Sequence, residues 1–281
     1  MPFTPALPLT GLAGLRFLES TMDKQVELFE KSPDVQREID YFLEKAPSIQ
    51  TSGELVTDRR ILSVVLGAFG LDEDINKQAF IRKVIDEGTL DTTSFANRLV
   101  DPAYREMSNF LGFGDFGNLL VVESNQNQIV EMYRERQFEL AVGEIDLDMR
   151  LALNFKREVA EIAAETSDPD TGWLLMLGSP PLRQVVETAL NLPSEFALID
   201  LDQQVEEISS RAKRLLDIDA PTDFLNSEVL GKFIDRFMLQ QQIASGSSGA
   251  VSTRGSVALS LLSASGLGSS AQTNLFSSNF I

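Results

Sequence analysis

The sequence contains no histidine and no cysteine. It therefore lacks the side chains that most often serve as acid–base groups and nucleophiles near neutral pH. A Ser-His-Asp triad, a Cys-His pair and a zinc site with His or Cys ligands are excluded, and no disulfide can form. The remaining groups with catalytic potential are 42 Asp and Glu side chains, which stand against 24 Lys and Arg residues and give a formal net charge of −18.

Closely spaced carboxylates, such as Asp72/Asp74 and Asp200/Asp202, are of the residue type that glycosidases use as acid and base. In a chain with so many carboxylates such pairs arise by chance, and a solvated acidic face accounts for them. The negative charge also disfavours nucleic acid and anionic lipid as partners, because like charges repel within a Debye length.

Two short motifs resemble ligand-binding loops. Residues 112–117 fit the dinucleotide pattern GxGxxG, but that chemistry needs a preceding strand, and here a helical segment precedes. Asp168 to Gly172 resemble the start of a calcium loop, yet Ser179 stands where a bidentate carboxylate is required. We predict a glycine-rich connector and a turn that caps the next helix. No cofactor and no metal are expected.

The elements that position these residues are helical, because apolar side chains recur at steps of three and four. Trp173, the single tryptophan, opens an apolar run and is predicted to be a core residue. No run of alternating β-branched residues occurs, so the predicted fold class is all-α. The predicted helices cover 12–30, 33–44, 61–70, 80–88, 104–111, 182–191, 201–216 and 226–243.

A long helix is predicted between residues 125 and 165, a stretch with no proline and one glycine. Its length would be about 60 Å if it were unbroken. Gly143 is a candidate break, at a cost of about 1 kcal/mol relative to alanine. The apolar seam consists of Phe138, Val142, Ile145, Met149, Ala152, Phe155, Val159 and Ile162.

The two halves of the chain match each other at a shift of 121 residues, with 61–71 over 182–192. The identical pairs are Val64/Val185, Val65/Val186, Ala68/Ala189 and Leu71/Leu192, and Phe80/Leu201 and Val84/Val205 continue the match. Any two amphipathic helices share an apolar stripe, which is the alternative explanation.

We predict two related helical units that arose by internal duplication and are joined by the long helix. The predicted organisation is a flexible N-terminus (1–10), helical unit 1 (11–118), helical unit 2 including the long helix (119–243), and a Ser/Gly/Ala-rich tail (244–281).

The tail holds twelve serines and five glycines, and its single charged side chain is that of Arg254. This composition predicts a flexible segment. Apolar residues scattered through it leave two readings open: a disordered terminus, or a segment that orders against a partner. The candidate docking residues are Leu259, Leu262, Phe276 and Phe280.

The hydropathy pattern predicts no membrane insertion, since no window approaches twenty uninterrupted apolar residues. The first seventeen residues lack a basic leader and contain three prolines, so they do not read as a cleavable secretory signal.

Several blocks resemble a bacterial family known as a domain of unknown function, whose genes often sit among flagellar genes. The resemblance spans roughly residues 20–240, with its blocks in order. These blocks cover residues 58–60, 66–71, 79–84, 94–99, 138–144, 150–158, 180–190 and 201–204. No reaction or catalytic residue is assigned to that family, so none transfers. The resemblance implies a flagellar part or an assembly factor.

We therefore expect a non-enzymatic structural or assembly component of the bacterial flagellum, in its basal body or axial structure. Its partners would be other flagellar proteins or copies of itself, with no small-molecule substrate. One alternative is a cytoplasmic chaperone or binding module for exported flagellar proteins. Another is an enzyme that uses carboxylate chemistry. The expected location is the flagellum or cell envelope, reached through the flagellar export apparatus, or else the cytoplasm.

Overall fold

The computed structural model describes residues 3–244, and these contain twelve α-helices and no strand. The prediction of an all-α fold is confirmed. The helices are α1 Gly11–Glu30, α2 Pro33–Lys45, α3 Ser52–Thr57, α4 Arg59–Ala68, α5 Gln78–Glu87, α6 Ala103–Leu111, α7 Glu123–Gly143, α8 Leu147–Glu165, α9 Pro169–Gly178, α10 Pro180–Ala189, α11 Leu201–Leu216 and α12 Ser227–Ala244. No helix within 3–244 combines the length and the apolar character needed to cross a membrane.

Residues 3–241 lie in one compact unit that holds two clusters of buried apolar side chains. The first cluster lies between residues 39 and 133, and α4 supplies most of its centre, because six of its side chains are fully enclosed. The second cluster combines α1 with residues 138–238. Helix α7 enters both, with Ile129 and Tyr133 in the first and Phe138 and Val142 in the second.

This division differs from the predicted boundary between residues 118 and 119. Leu15 and Leu18 of α1, assigned by sequence to unit 1, lie in the second cluster. The N-terminal half of α7, assigned to unit 2, packs on α4 in the first. Residues 3–10, predicted to be flexible, contact α1: Ala6 and Gln25 exchange hydrogen bonds, and the Phe3 ring packs edge-on against Phe29.

The helix predicted over 125–165 is not continuous: it breaks after Gly143, the candidate break, which is the last residue of α7. The chain turns at residues 144–146, and α8 packs back along α7. Asp146 causes the restart, because its carboxylate accepts a hydrogen bond from the Met149 amide and caps α8. The Arg150 side chain packs so closely on Gly143 that a Cβ there would lie 2.3 Å from it. Ile145, the seam residue in the turn, is 46% exposed.

Helices α4 and α10 end in the same way. Gly70 and Asn191 both have positive φ, at 74° and 51°. In each case the next amide donates back into the last turn of the helix, from Leu71 to the Leu66 carbonyl and from Leu192 to the Glu187 carbonyl. A left-handed residue with such a hydrogen bond satisfies carbonyls that the helix end leaves without partners.

The two ligand-like loops have the structural roles that the sequence predicts. Residues 112–117 connect α6 to a short 3-10 helix (Leu119–Val121) that precedes α7, and Gly112 caps α6 with φ of 72°. Asp168 caps α9 by accepting hydrogen bonds from Thr171. Trp173 is fully buried, as predicted, and its ring packs against Phe224.

Gly114 provides a test of the connector. A Cβ at this position would lie 2.3 Å from the backbone nitrogen of Gly88, so the two loops leave no room for a side chain. We expect Gly114→Ala to lower the free energy of unfolding by about 1–3 kcal/mol, as overpacking does. The measurement is urea unfolding followed by circular dichroism. Gly178→Ala is the control, because nothing lies within 4 Å of a Cβ there. Equal stability of the two variants would contradict the close approach.

Candidate functional site: a buried ion cluster between the two cores

Helices α7 and α8 are held together by a buried ion pair. Arg157 of α8 donates two hydrogen bonds to Glu139 of α7, from Nε to Oε1 at 2.9 Å and from Nη2 to Oε2 at 3.1 Å. The two side chains are 14% and 11% exposed. Two parallel bonds of this kind fix the orientation of both groups, so the pair sets the register between the helices.

Glu158, the next residue on α8, extends the cluster. Its carboxylate accepts hydrogen bonds from Asn154 at 2.8 Å and from the Ser179 hydroxyl at 3.2 Å. Ser179 directly precedes α10, so this carboxylate joins α8 to the start of α10. It also lies 3.5 Å from Arg157 Nη2 and 3.9 Å from Arg136 Nη1.

Arg136 connects the cluster to the first core. Its guanidinium packs over Gly70 at the end of α4, where a Cβ would lie 2.8 Å from Nη1. Gly70 is therefore required twice, for its positive φ and for this close approach. The side chain of Arg136 is 15% exposed.

These groups line a cavity of about 210 Å³ between α6, α7, α8, α10 and the residues Phe69 and Gly70 that follow α4. Arg157 Nη1 and Asn154 Oδ1 are buried there and make no hydrogen bond to any described residue. A cavity of this volume has room for several water molecules, since each occupies about 30 Å³ in the liquid. Glu106, Glu161 and Glu165 stand along its wall.

Burial and the neighbouring charges shift the pKa values of the groups in this cluster. Burial opposes the charge of Arg157, but the hydrogen bonds with Glu139 outweigh it, and the pKa of Arg157 is raised. Burial and the charge of Arg157 lower the pKa of Arg136. Desolvation against the cavity wall, reinforced by the Glu161 carboxylate, raises the pKa of Glu106, although part of its side chain remains exposed. Within residues 3–244 no group of three or more carboxylates is arranged to hold a metal ion.

Sequence reasoning did not identify this cluster. The sequence signals were present, because Glu139 directly follows the seam residue Phe138, and Arg157 lies between the seam residues Phe155 and Val159. They were hidden by the long-helix prediction, which does not bring α7 and α8 side by side. The four predicted docking residues, Leu259, Leu262, Phe276 and Phe280, lie outside the described residues. Asp74, of one carboxylate pair, accepts a hydrogen bond from Tyr104, while Asp72 accepts one from Gln137.

The chain that carries this cluster matches a known protein family. A family model described as "Protein of unknown function (DUF1217)" matches residues 68–224. The X-ray crystal structure of protein AGR_C_984 from Agrobacterium tumefaciens is similar, with 28% identity and a TM-score of 0.69. The match covers 86% of this chain and 99% of that one. A search of curated proteins gives no match.

Removal of Arg157 tests the ion pair. We expect Arg157→Met to lower the free energy of unfolding by about 3–5 kcal/mol, because it leaves Glu139 buried without its partner. The double variant Arg157→Met/Glu139→Leu should recover most of the loss, since no unpaired charge remains. Lys232→Met, in an exposed pair with Glu228, is the control and should cost less than about 1 kcal/mol. Urea unfolding measures all three, and additive losses in the double variant would argue against the pair.

Glu106 gives a pH-dependent test. Its native pKa is raised, so the ionised form destabilises the fold at neutral pH, and this penalty disappears as pH falls through the native pKa. We expect Glu106→Gln to stabilise the protein at pH 7, by a margin that shrinks toward pH 5. Glu144→Gln, in the exposed turn, is the matched control. Thermal unfolding at both pH values measures the margin, and a gain that grows toward pH 5 would contradict the raised pKa.

Proposed function

The chain belongs to the DUF1217 family, and we propose that it is a non-enzymatic structural or assembly component of the bacterial flagellum. The observation that carries the non-enzymatic part is the Glu139–Arg157–Glu158 cluster. Its carboxylates are engaged in structural contacts: Glu139 with Arg157 between α7 and α8, and Glu158 with Ser179 before α10 and with Asn154 within α8. The flagellar part is supported by the resemblance to a family whose genes often sit among flagellar genes.

The proposed mode of action is helix packing combined with docking of residues 245–281. This segment has Arg254 as its single charged side chain, so a neighbour can approach it without the like-charge repulsion of the acidic body. Leu259, Leu262, Phe276 and Phe280 supply apolar area for such a contact. Each side chain offers roughly 1.5–3 kcal/mol on burial, before the cost of ordering the segment. The partners would be other flagellar proteins or copies of this chain.

We also infer that the helical body arose by internal duplication, with α2–α5 and α8–α11 as the two copies. The support is the shared ending of α4 and α10, in which Gly70 and Asn191 lie 121 residues apart. The preceding helices end at nearly the same spacing, with α3 and α9 at Thr57 and Gly178, and α2 and α8 at Lys45 and Glu165.

Deletion of residues 245–281 tests the proposal. The predicted apolar stripes of the helices all end before residue 245, so we expect the truncated protein to keep its helical circular dichroism and thermal midpoint. The truncated protein should no longer be found in isolated basal bodies, and the cells should no longer swim. The amount of folded protein in the cells should stay the same. Cell fractionation and a swimming assay measure these outcomes.

The full-length protein in the same fractionation is the control and should be found with the basal bodies. A soluble cytoplasmic complex with one exported client would support the chaperone alternative instead. Normal motility and incorporation of the truncated protein would show that the tail is not the docking element.

A further inference from the structure

The two proposed copies differ in the segment that comes after their fourth helix. After α5 the chain forms a short 3-10 helix (Ala96–Arg98) and α6 before it reaches α7. After α11 only residues 217–226 precede α12. Those few residues are directed elsewhere, since Phe224 packs against Phe155, Phe233 and Trp173 in the second core.

In the first copy the additional segment covers the corner where α5 begins. The rings of Phe95 and Tyr104 both pack edge-on against Phe80, at 5.3 and 5.2 Å between centroids. The Tyr104 hydroxyl donates a hydrogen bond to Asp74, a carboxylate that is 5% exposed. Ser108 of α6 donates to the Val84 carbonyl of α5 at 2.9 Å.

Among residues 3–244, no segment covers the matching corner of the second copy. At the shift of 121 residues Leu201 corresponds to Phe80 and Glu195 to Asp74. Leu201 is 50% exposed, and the adjacent Leu198 and Ile199 are 84% and 39% exposed. Beside them lies a groove of about 510 Å³ between α11 and the preceding 3-10 helix (Ser194–Leu198), with Pro193, Phe196 and Ile199 among its lining residues.

The rim of this corner is acidic. Glu195 and Glu206 line the groove, and Asp202 is exposed on the first turn of α11. These three carboxylates make no ion pair with any residue between 3 and 244. A basic partner would therefore be attracted to this corner, whereas a second copy of a chain with a net charge of −18 would be repelled.

We propose that the apolar corner formed by Pro193, Phe196, Leu198, Ile199 and Leu201 is a docking site for a helical segment of another protein. The partner segment presents an aromatic ring to Leu201, as Phe95 and Tyr104 do to Phe80. Basic side chains beside that ring pair with Glu195, Asp202 and Glu206. The inference rests on the duplication proposed above.

The probe is a synthetic peptide of this chain's own residues 92–111, which includes Phe95 and Tyr104, added to the full-length protein. We expect amide NMR resonances of residues 193–207 to shift on titration. Replacing Asp101 and Glu106 of the peptide by lysine should tighten binding, because the corner is acidic. Replacing Phe95 and Tyr104 by alanine should abolish it.

The protein variant Leu201→Asp should weaken binding by roughly tenfold or more. It should leave the thermal midpoint unchanged, since the side chain is half exposed. Leu90→Asp, at a site 65% exposed in the first copy, is the matched control and should bind normally.

Three results would overturn the inference. The peptide could cause no shift, it could shift only the resonances of residues 72–87, or it could bind the Leu201→Asp variant as tightly as the unchanged protein. Concentration-dependent shifts of 193–207 without peptide would mean that a second copy occupies the corner, and would overturn the choice of partner. Fractionation with basal bodies is measured independently, so the docking site and the flagellar proposal can fail separately.

Discussion

The architecture depends on α7, because this helix contributes to both apolar clusters and then reverses direction into α8. The turn at residues 144–146 brings Arg157 opposite Glu139, and the two hydrogen bonds between them fix the register of the helices. Burial of two opposite charges gives little net stability, since desolvation offsets the attraction. The buried pair instead makes the register of α7 and α8 specific, because a shift of either helix would leave one charge buried without a partner. Arg136 over Gly70 extends the same constraint to the end of α4.

The helices with strong local signals could be predicted from the sequence, and those that depend on long-range contacts could not. Ser32-Pro33 and Gly70 mark helix ends through their own local preferences, so α2 and α4 were predicted to within a few residues. Asp168 was predicted to cap a helix, but the bounds of α9 were not predicted. The seam of Phe138 to Ile162 continues its apolar spacing through the turn, and periodicity therefore missed the reversal. Helix α3 has six residues, too few for a period to show. The stripe of α1 would fit either core, and nothing local indicates which one it joins.

The ion cluster was beyond sequence reasoning for a related reason. Glu139 and Arg157 lie 18 residues apart and face each other only after the chain has turned. With 42 carboxylates in the chain, composition gives no means of selecting Glu139 and Glu158 from the rest. Burial distinguishes these two carboxylates from the others. The side chains of Glu139 and Glu158 are 11% and 20% exposed, whereas both partners in surface pairs such as Lys31–Glu27 are over 60% exposed. A charge becomes structurally important here through the tertiary contacts around it, and residue type alone does not reveal it.

The difference between the two halves connects this architecture to the proposed function. The first half covers its own α5 corner with Phe95 and Tyr104, and this requires a connection of 35 residues between α5 and α7. The second half has ten residues between α11 and α12 and uses them to complete the aromatic core around Phe155. If covering this corner were needed for folding, the second half would require a covering segment of its own. Val205 and Ile208 are buried although no other segment within residues 3–244 covers this corner, so the exposed leucines beside them are available to contact another molecule. A protein that works by assembly needs such a surface, with a body that folds before the surface is filled.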